Sequence, residues 1–281
     1  MKNYLAASVR GYAHEKCGIP NQDAFVIKHL YDFDVLMVLD GVSLDRRGQT
    51  SKSELASNYV KLHALKYIKK HATYKMSIDE LENLIQKCFE ACLKDLKRMA
   101  LIYGRKYHAS TSYLDYQTTL TLVIHRDGDI AYGNAGDSGF LIMTKHGLKQ
   151  FSNSLKDYQY GSGVEPLCVK EAWRFGKCIH QDIKYLCLAT DGIFDVLVPL
   201  KDGRHYNLAF MNSLLDQASI HDSNELKQCL ATLSKKLTQD DKTIVILKNE
   251  PYRKFKLEKD EEAKRLERFQ TELNALLNAE M

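Results

Sequence analysis

The 281-residue chain has no window of 18 apolar residues, no C-x-x-C pair, four prolines and a single tryptophan. Without an apolar window it is not expected to span a membrane as a helix. Its seven cysteines (Cys17, Cys88, Cys92, Cys168, Cys178, Cys187 and Cys229) form an odd, scattered set. That set excludes a disulfide-built miniprotein and fits reduced thiols in a cytosol. Met1–Val9 carries one lysine and no apolar run long enough for a signal peptide, so a cytoplasmic protein is expected. Neither sign of charge dominates: 40 Lys and Arg stand against 36 Asp and Glu, a net +4 spread thinly along the chain. No basic stretch of the kind that tracks a nucleic-acid backbone is present, so nucleic acid and membrane are both excluded as partners. What remains is an ordinary globular composition, 44% hydrophobic, in a length that suits one large domain or two small ones.

Four short apolar runs rich in β-branched residues read as buried strands: Asp34–Leu39, Thr118–Ile124, Lys184–Ala189 and Thr243–Leu247. Ala24–Ile27, Ile130–Tyr132 and Phe140–Thr144 add shorter ones, and Arg126-Asp127-Gly128-Asp129 is a tight hairpin turn, which implies antiparallel pairing. From Ser77 onward Ile78, Leu81, Ile85, Cys88, Cys92, Leu96, Met99 and Tyr103 recur every three or four residues, behind a Ser77/Glu80 capping box. On that helix Cys88 and Cys92 belong to a core face rather than to a metal pair. A second helix is expected over Glu54–Lys70 with Leu55, Tyr59, Leu62 and Leu65 on its buried face, and a third after Ser223 with Leu226, Leu230, Leu233 and Leu237. The order of strands and helices suits an α+β layered sandwich better than βαβ alternation. Residues 148–182 are the least patterned and read as a surface lid. After Pro251 seven basic and seven acidic residues accompany an apolar stripe at Leu266, Phe269, Leu273, Leu276 and Leu277. That terminal helix either docks on its own domain or serves as a dimer or partner contact.

Two strands run straight into Asp-Gly: Val35–Leu39 into Asp40-Gly41, and Tyr185–Thr190 into Asp191-Gly192. Asp127-Gly128 and Asp202-Gly203 are ordinary turns. The first two differ because the strands before them are apolar throughout, which puts each acid at a sheet edge beside the core. Asp23 precedes the Ala24–Ile27 strand, Asp240-Asp241 precedes Thr243–Leu247, and Asp137 lies in the small-residue turn Gly133–Ser138. Gathered in one pocket, such acids repel, and bound cations or shared protons relieve them. No His or Cys stands beside them in the sequence, so the donor set is expected to be hard oxygen, suited to Mg²⁺ or Mn²⁺ rather than Zn²⁺.

The ordered set Gln22-Asp23, Val38-Leu39-Asp40-Gly41, Thr118-Thr119-Leu120, Gly136-Asp137-Ser138, Thr190-Asp191-Gly192-x-x-Asp195 and Asp240-Asp241-x-Thr243 resembles the metal-dependent protein phosphatases of the PP2C (PPM) family. The opening Gly11-x-x-His14 with Gly18-x-Pro20-Asn21-Gln22-Asp23 is closer to a divergent, mainly bacterial branch. The resemblance implies a four-layer α-β-β-α sandwich over residues 1–250, with 148–182 as a reduced flap and 251–281 as a charged amphipathic helix. It further implies a phosphoserine/phosphothreonine phosphatase that works by direct attack of water held by two divalent ions, Mn²⁺ or Mg²⁺. Its substrate would be a phosphoprotein, opposite a Ser/Thr kinase. Carried over by position, Asp40 bridges the ions, the Gly41 carbonyl binds one, and Asp191 and Asp240 hold the other. Asp23 sits in the outer shell, while Asp137 and Asp195 join Asp191 around a weaker third ion. Gln22, Thr118 and Thr119 support the site, and Asp241 is read as a supporting or exposed residue.

Three departures from the family pattern stand out. Where eukaryotic relatives continue Asp-Gly with His-Gly-Gly and use that His as general acid, this chain has Val42-Ser43-Leu44. The leaving alkoxide must then take its proton from water or another residue. Gln22 replaces the usual Glu, and Gly18 stands where a basic residue normally grips phosphate, leaving His14, Arg10 and Lys16 as candidates for that task, with His14 also a candidate catalytic group. The altered positions also suit a pseudophosphatase, the same fold used as a binding module. A two-metal nuclease lacks the basic, aromatic-interleaved groove it would need.

Overall fold

The computed structural model describes residues 3–42, 52–144, 147–152, 164–180, 183–197, 222–233 and 238–248. Asp202-Gly203 and the helix expected over 251–281 lie outside them. The chain runs β1 (Asn3–Val9), α1 (Tyr12–Lys16), β2 (Ala24–Leu30), β3 (Phe33–Leu39), α2 (Ser53–His71), α3 (Ile78–Tyr107), β4 (Leu120–Arg126), β5 (Asp129–Ala135), β6 (Gly139–Thr144), β7 (Gly147–Ser152), β8 (Arg174–Ile179), β9 (Tyr185–Ala189), α4 (Asp191–Leu197), α5 (Ser223–Thr232) and β10 (Lys242–Lys248).

Among the described residues ten strands form two five-stranded sheets, ordered β1-β10-β9-β6-β7 and β2-β3-β4-β5-β8, with antiparallel pairing throughout. Period-2 alternation sorts the apolar side chains into two layers. In β10, Val245 and Leu247 pack between the sheets with Leu36, Val38, Val123 and Phe140. Its alternate residues Ile244 and Ile246 face α4 and α5 through Ile193, Phe194, Leu226 and Leu230. On the other sheet Val35, Met37, Leu122 and Ile124 meet α2 and α3. The result is the expected α-β-β-α sandwich. Among the described residues no helix is long and apolar enough to cross a membrane.

The Ser77/Glu80 capping box forms, with the Ser77 hydroxyl accepting from the Glu80 N–H at 3.2 Å and the Glu80 carboxylate from the Ser77 N–H at 2.6 Å. Cys88 and Cys92 are buried on the core face of α3, their sulfurs 4.0 Å apart. At the β4–β5 turn Asp127 and Gly128 both take positive φ, 46° and 100°, as a two-residue hairpin requires.

Two expectations need correction. The buried face of α2 is Ala56, Val60, Ala64 and Ile68, whereas Leu62 is 62% exposed and Leu55, Tyr59 and Leu65 are only partly buried. The small side chains turn inward because α2 lies close against both α3 and the β2–β3 sheet. Within the interval 148–182, read as the least patterned stretch, residues 148–152 lie in β7, which pairs with β6, and 174–179 form β8, which pairs with β5. Trp173, at the start of β8, packs edge-on to Phe89 of α3 at 5.5 Å, which anchors this part of the interval to the core.

Candidate metal centre

Antiparallel pairing gathers the acids. Asp40 follows β3, Asp191 follows β9, Asp137 lies between β5 and β6, Asp23 precedes β2, and Asp240-Asp241 precede β10. The registers Ala24↔Leu39, Leu120↔Ala135, Gly139↔Ala189 and Ser8↔Thr243 bring all of these strand ends to one end of the sandwich.

Carboxylate oxygens of Asp40, Asp137 and Asp191 come within 4.8 Å of one another. Asp137 is buried, and Asp40 and Asp191 are half-buried. The Asp40 backbone is gripped from the start of β4. Its N–H donates to the Thr119 hydroxyl at 2.9 Å, and its carbonyl accepts from the Thr119 N–H at 2.8 Å and the Thr118 hydroxyl at 2.9 Å. Thr119 also lies 3.0 Å from the Ser138 hydroxyl, next to Asp137. The two threonines thus work through the backbone. Burial, and then the charges of Asp191, Asp23, Asp137 and Asp240, push the Asp40 carboxyl well above the ordinary carboxylate range.

The other end of the cluster is built differently. A ring nitrogen of His14 and carboxylate oxygens of Asp240 and Asp241 form a second group of ligand-type atoms within 4.8 Å; His14 Nδ1 is 3.0 Å from Asp241 Oδ2 but makes no hydrogen bond with a described residue. The expectation that no His stands beside the acids is therefore wrong. His14 is far from Asp240 along the chain, but the Ala13 N–H donates to the Gln239 carbonyl at 3.0 Å and docks α1 against the start of β10. Asp241, allowed above to be exposed, is buried at 2%. Its Oδ1 accepts the Gly11 N–H and its Oδ2 the Gln22 N–H, both at 2.6 Å, so one carboxylate ties together three segments. Its close approach raises the His14 pKa, opposed by burial and helped by the charges of Asp241, Asp240 and Asp23.

Asp23 lies between the two ends and is buried. Its Oδ2 accepts from the Thr190 hydroxyl at 2.8 Å, while its Oδ1 accepts no hydrogen bond from any described residue. Burial, with the charges of Asp241 and Asp240, raises its pKa to about 7 against hydrogen bonds from Thr243 and Thr190 that lower it. An orphaned, buried carboxylate oxygen beside five further aspartates is a site that divalent cations fit.

The family model for protein phosphatase 2C matches residues 10–238. The chain belongs to the protein phosphatase 2C family. No curated protein matches it in sequence. In structure this phosphatase 2C chain is similar to the serine/threonine phosphatase Stp1 of Staphylococcus aureus at 16% identity and a TM-score of 0.62, covering 89% of this chain and 96% of that one. It is also similar to the serine/threonine phosphatase PstP/Ppp of Mycobacterium tuberculosis, at 18% identity and a TM-score of 0.58, with 88% and 98% covered. A PstP catalytic domain solved in complex with two manganese ions aligns at 18% identity with a TM-score of 0.54, covering 88% of this chain and 97% of that one. These likenesses support the phosphatase 2C fold.

Not every residue singled out in the sequence joins the phosphatase 2C cluster. Gly41 is buried, and Gln22 contributes through its backbone: its N–H goes to Asp241 and its carbonyl accepts the Ser57 hydroxyl at 2.6 Å. Arg10, just before α1, and Lys16, its last residue, are exposed, with Arg10 donating to the Ile19 carbonyl at 3.5 Å. Asp195 lies in α4, but its side chain is outside the described residues. One neighbour was missed. Lys242 is buried at 5%, its Nζ 3.4 Å from the Asp240 carbonyl, and burial pulls its pKa down against Asp241, Asp240, Asp23 and Glu15. The signal was available: strand alternation puts Lys242 on the buried face of Ile244 and Ile246, where a lysine needs a partner.

Proposed function

We propose that this phosphatase 2C chain is a divalent-metal-dependent protein serine/threonine phosphatase. The observation that carries the reading is the convergence of Asp40, Asp137 and Asp191 within 4.8 Å, with the orphaned oxygen of Asp23 nearby in the same cluster. Asp40, the Gly41 carbonyl, Asp191 and Asp240 would hold two ions, Mn²⁺ or Mg²⁺, with Asp137 and Asp195 available to a third and Asp23 in the outer shell. Bound there, such ions lower the pKa of water and offset charge on the phosphate.

The chain's own residues do the rest. Thr118 and Thr119 hold the Asp40 backbone so that its carboxylate stays aimed along the sheet end. Arg10 and Lys16, exposed beside α1, are the cations left to meet substrate phosphate, since His14 is turned toward Asp241. With Val42 after Asp40-Gly41, no imidazole follows the motif, and water protonates the leaving serine or threonine oxygen. The substrate is a phosphoprotein made by a Ser/Thr kinase, the setting is cytoplasmic, residues 1–250 are the catalytic domain, and the segment 251–281 is a helix that contacts this domain or a partner.

The test is hydrolysis of phosphoserine and phosphothreonine peptides and of para-nitrophenyl phosphate, with and without Mn²⁺. Metal-dependent turnover that is lost in Asp40→Asn and Asp191→Asn supports the proposal. Turnover that needs no metal, or that survives both substitutions, overturns it. Tight Mn²⁺ binding without turnover on any phosphopeptide would favour a binding module on the same fold.

A further inference from the structure

The two ends of the aspartate cluster offer a cation different chemistry. At one end the donors are carboxylates, and the charges that bear on Asp40 are those of other aspartates. At the other end an imidazole joins Asp240 and Asp241, and Lys242 already offsets part of the negative charge. A divalent ion is held at the first end chiefly by charge. At the second, where charge is partly cancelled, capture depends more on the quality of the donor atoms.

His14 is prepared to be such a donor. Asp241 stands 3.0 Å from Nδ1 and is itself immobilised by the Gly11 and Gln22 N–H groups. Yet Nδ1, though buried, makes no hydrogen bond with a described residue, so a cation held beside Asp240 and Asp241 would satisfy it. Independently, Asp23, whose charge is felt by both His14 and Lys242, keeps a buried oxygen that accepts no hydrogen bond from any described residue. That oxygen needs a cation or a donor, and the charge of Asp23 bears on Asp40 as well as on His14.

We infer that His14 supplies a nitrogen ligand to one of the two divalent ions, making the centre an unlike pair: one all-oxygen position and one mixed nitrogen/oxygen position. Asp241, 3.0 Å from Nδ1, borders the same position. The inference rests on the metal-dependent reading above and adds to it a metal preference. Mg²⁺ favours oxygen and keeps its waters, so it gains little from an imidazole, whereas Mn²⁺ and later first-row ions gain more. The mixed position therefore prefers Mn²⁺ over Mg²⁺ more strongly than the all-oxygen position does.

Pulsed electron paramagnetic resonance on the full chain loaded with Mn²⁺ reads this directly. Nitrogen modulation from the bound ion is expected in the wild type, is expected to change when histidine is labelled with ¹⁵N, and is expected to vanish in His14→Gln. Calorimetry with Mn²⁺ and with Mg²⁺ should show two classes of site in the wild type, with the Mn²⁺ preference of one class reduced in His14→Gln. Asp241→Asn should weaken the same class. The wild-type labelling result stands even if a variant fails to fold. Mn²⁺ bound without any histidine nitrogen signal overturns the inference and leaves the metal-dependent reading intact. No Mn²⁺ binding at all overturns both.

Discussion

At the Asp40 end of the cluster, acids are packed beside acids, and the Asp40 backbone is held by two threonine residues. At the Asp240 end, acids are interleaved with His14 and Lys242, and a single buried carboxylate, Asp241, pins three segments together. The first arrangement stores repulsion that a cation relieves. The second is partly neutralised in advance and is as much a structural joint as a binding site. Aspartates of similar local sequence can thus do opposite jobs, because what decides the job is the set of charges the fold brings beside them.

The largest expected effect separates these jobs by activity. Asp40→Asn or Asp191→Asn should lower metal-dependent turnover on phosphopeptides by on the order of 10²–10³, the scale for losing one electrostatic group aimed at the transition state. Asp241→Asn should instead lower thermal stability even without metal, because two buried N–H groups and His14 depend on that carboxylate. If Asp40→Asn destabilises as much as Asp241→Asn in chelator, the two ends are not different in kind.

Next comes pH. The folded-state pKa of Asp23 is raised to about 7, that of Asp40 is raised well above its ordinary value, and that of His14 is also raised. A raised carboxyl binds its proton more tightly in the folded chain, so its contribution is fully present below the unfolded pKa and is lost as pH climbs through the folded value. His14, also raised, contributes in the same direction and loses its stabilising charge as pH rises. Metal-free protein should therefore melt at a lower temperature at pH 8 than at pH 5, and saturating Mn²⁺ should remove most of the difference. A melting temperature that is flat with pH in chelator would contradict this electrostatic picture.

Smaller still are two glycine substitutions. A Cβ at Gly41 would stand 2.8 Å from the Gln22 carbonyl oxygen and 2.9 Å from the Ser53 carbonyl carbon, and one at Gly11 would overlap the Asp240 peptide. Each alanine variant should cost about 1–3 kcal/mol in denaturant melts, the usual range for overpacking. Gly11→Ala should disturb the His14 end and leave Mg²⁺ binding largely in place, whereas Gly41→Ala should weaken both metals. The smallest effect is expected for Thr119→Val, which removes the acceptor for the Asp40 N–H and should cost about 1 kcal/mol with a modest fall in turnover.

Much of this was legible from local pattern. The strands that precede Asp40 and Asp191 are recognisable because they are apolar without interruption, and they are so because both faces are buried, one by the opposing sheet and one by helices. The capping box at Ser77 was legible because both partners lie within three residues. α2 misled because Leu and Tyr outweigh Ala in any reading of hydrophobicity, while close packing against α3 rewards the smaller side chains. β7 and β8 were missed because they are edge strands, and β8 alternates exposed and half-buried residues rather than burying either face.

By itself the sequence determined the order of the aspartates and their positions at strand ends, since both follow from local composition and period. Only the tertiary structure decided that Gly11 donates to Asp241, 230 residues away, and that His14 consequently joins Asp240. Strand register across a sheet sets contacts of that range, and register depends on how the whole apolar surface is buried rather than on any one segment.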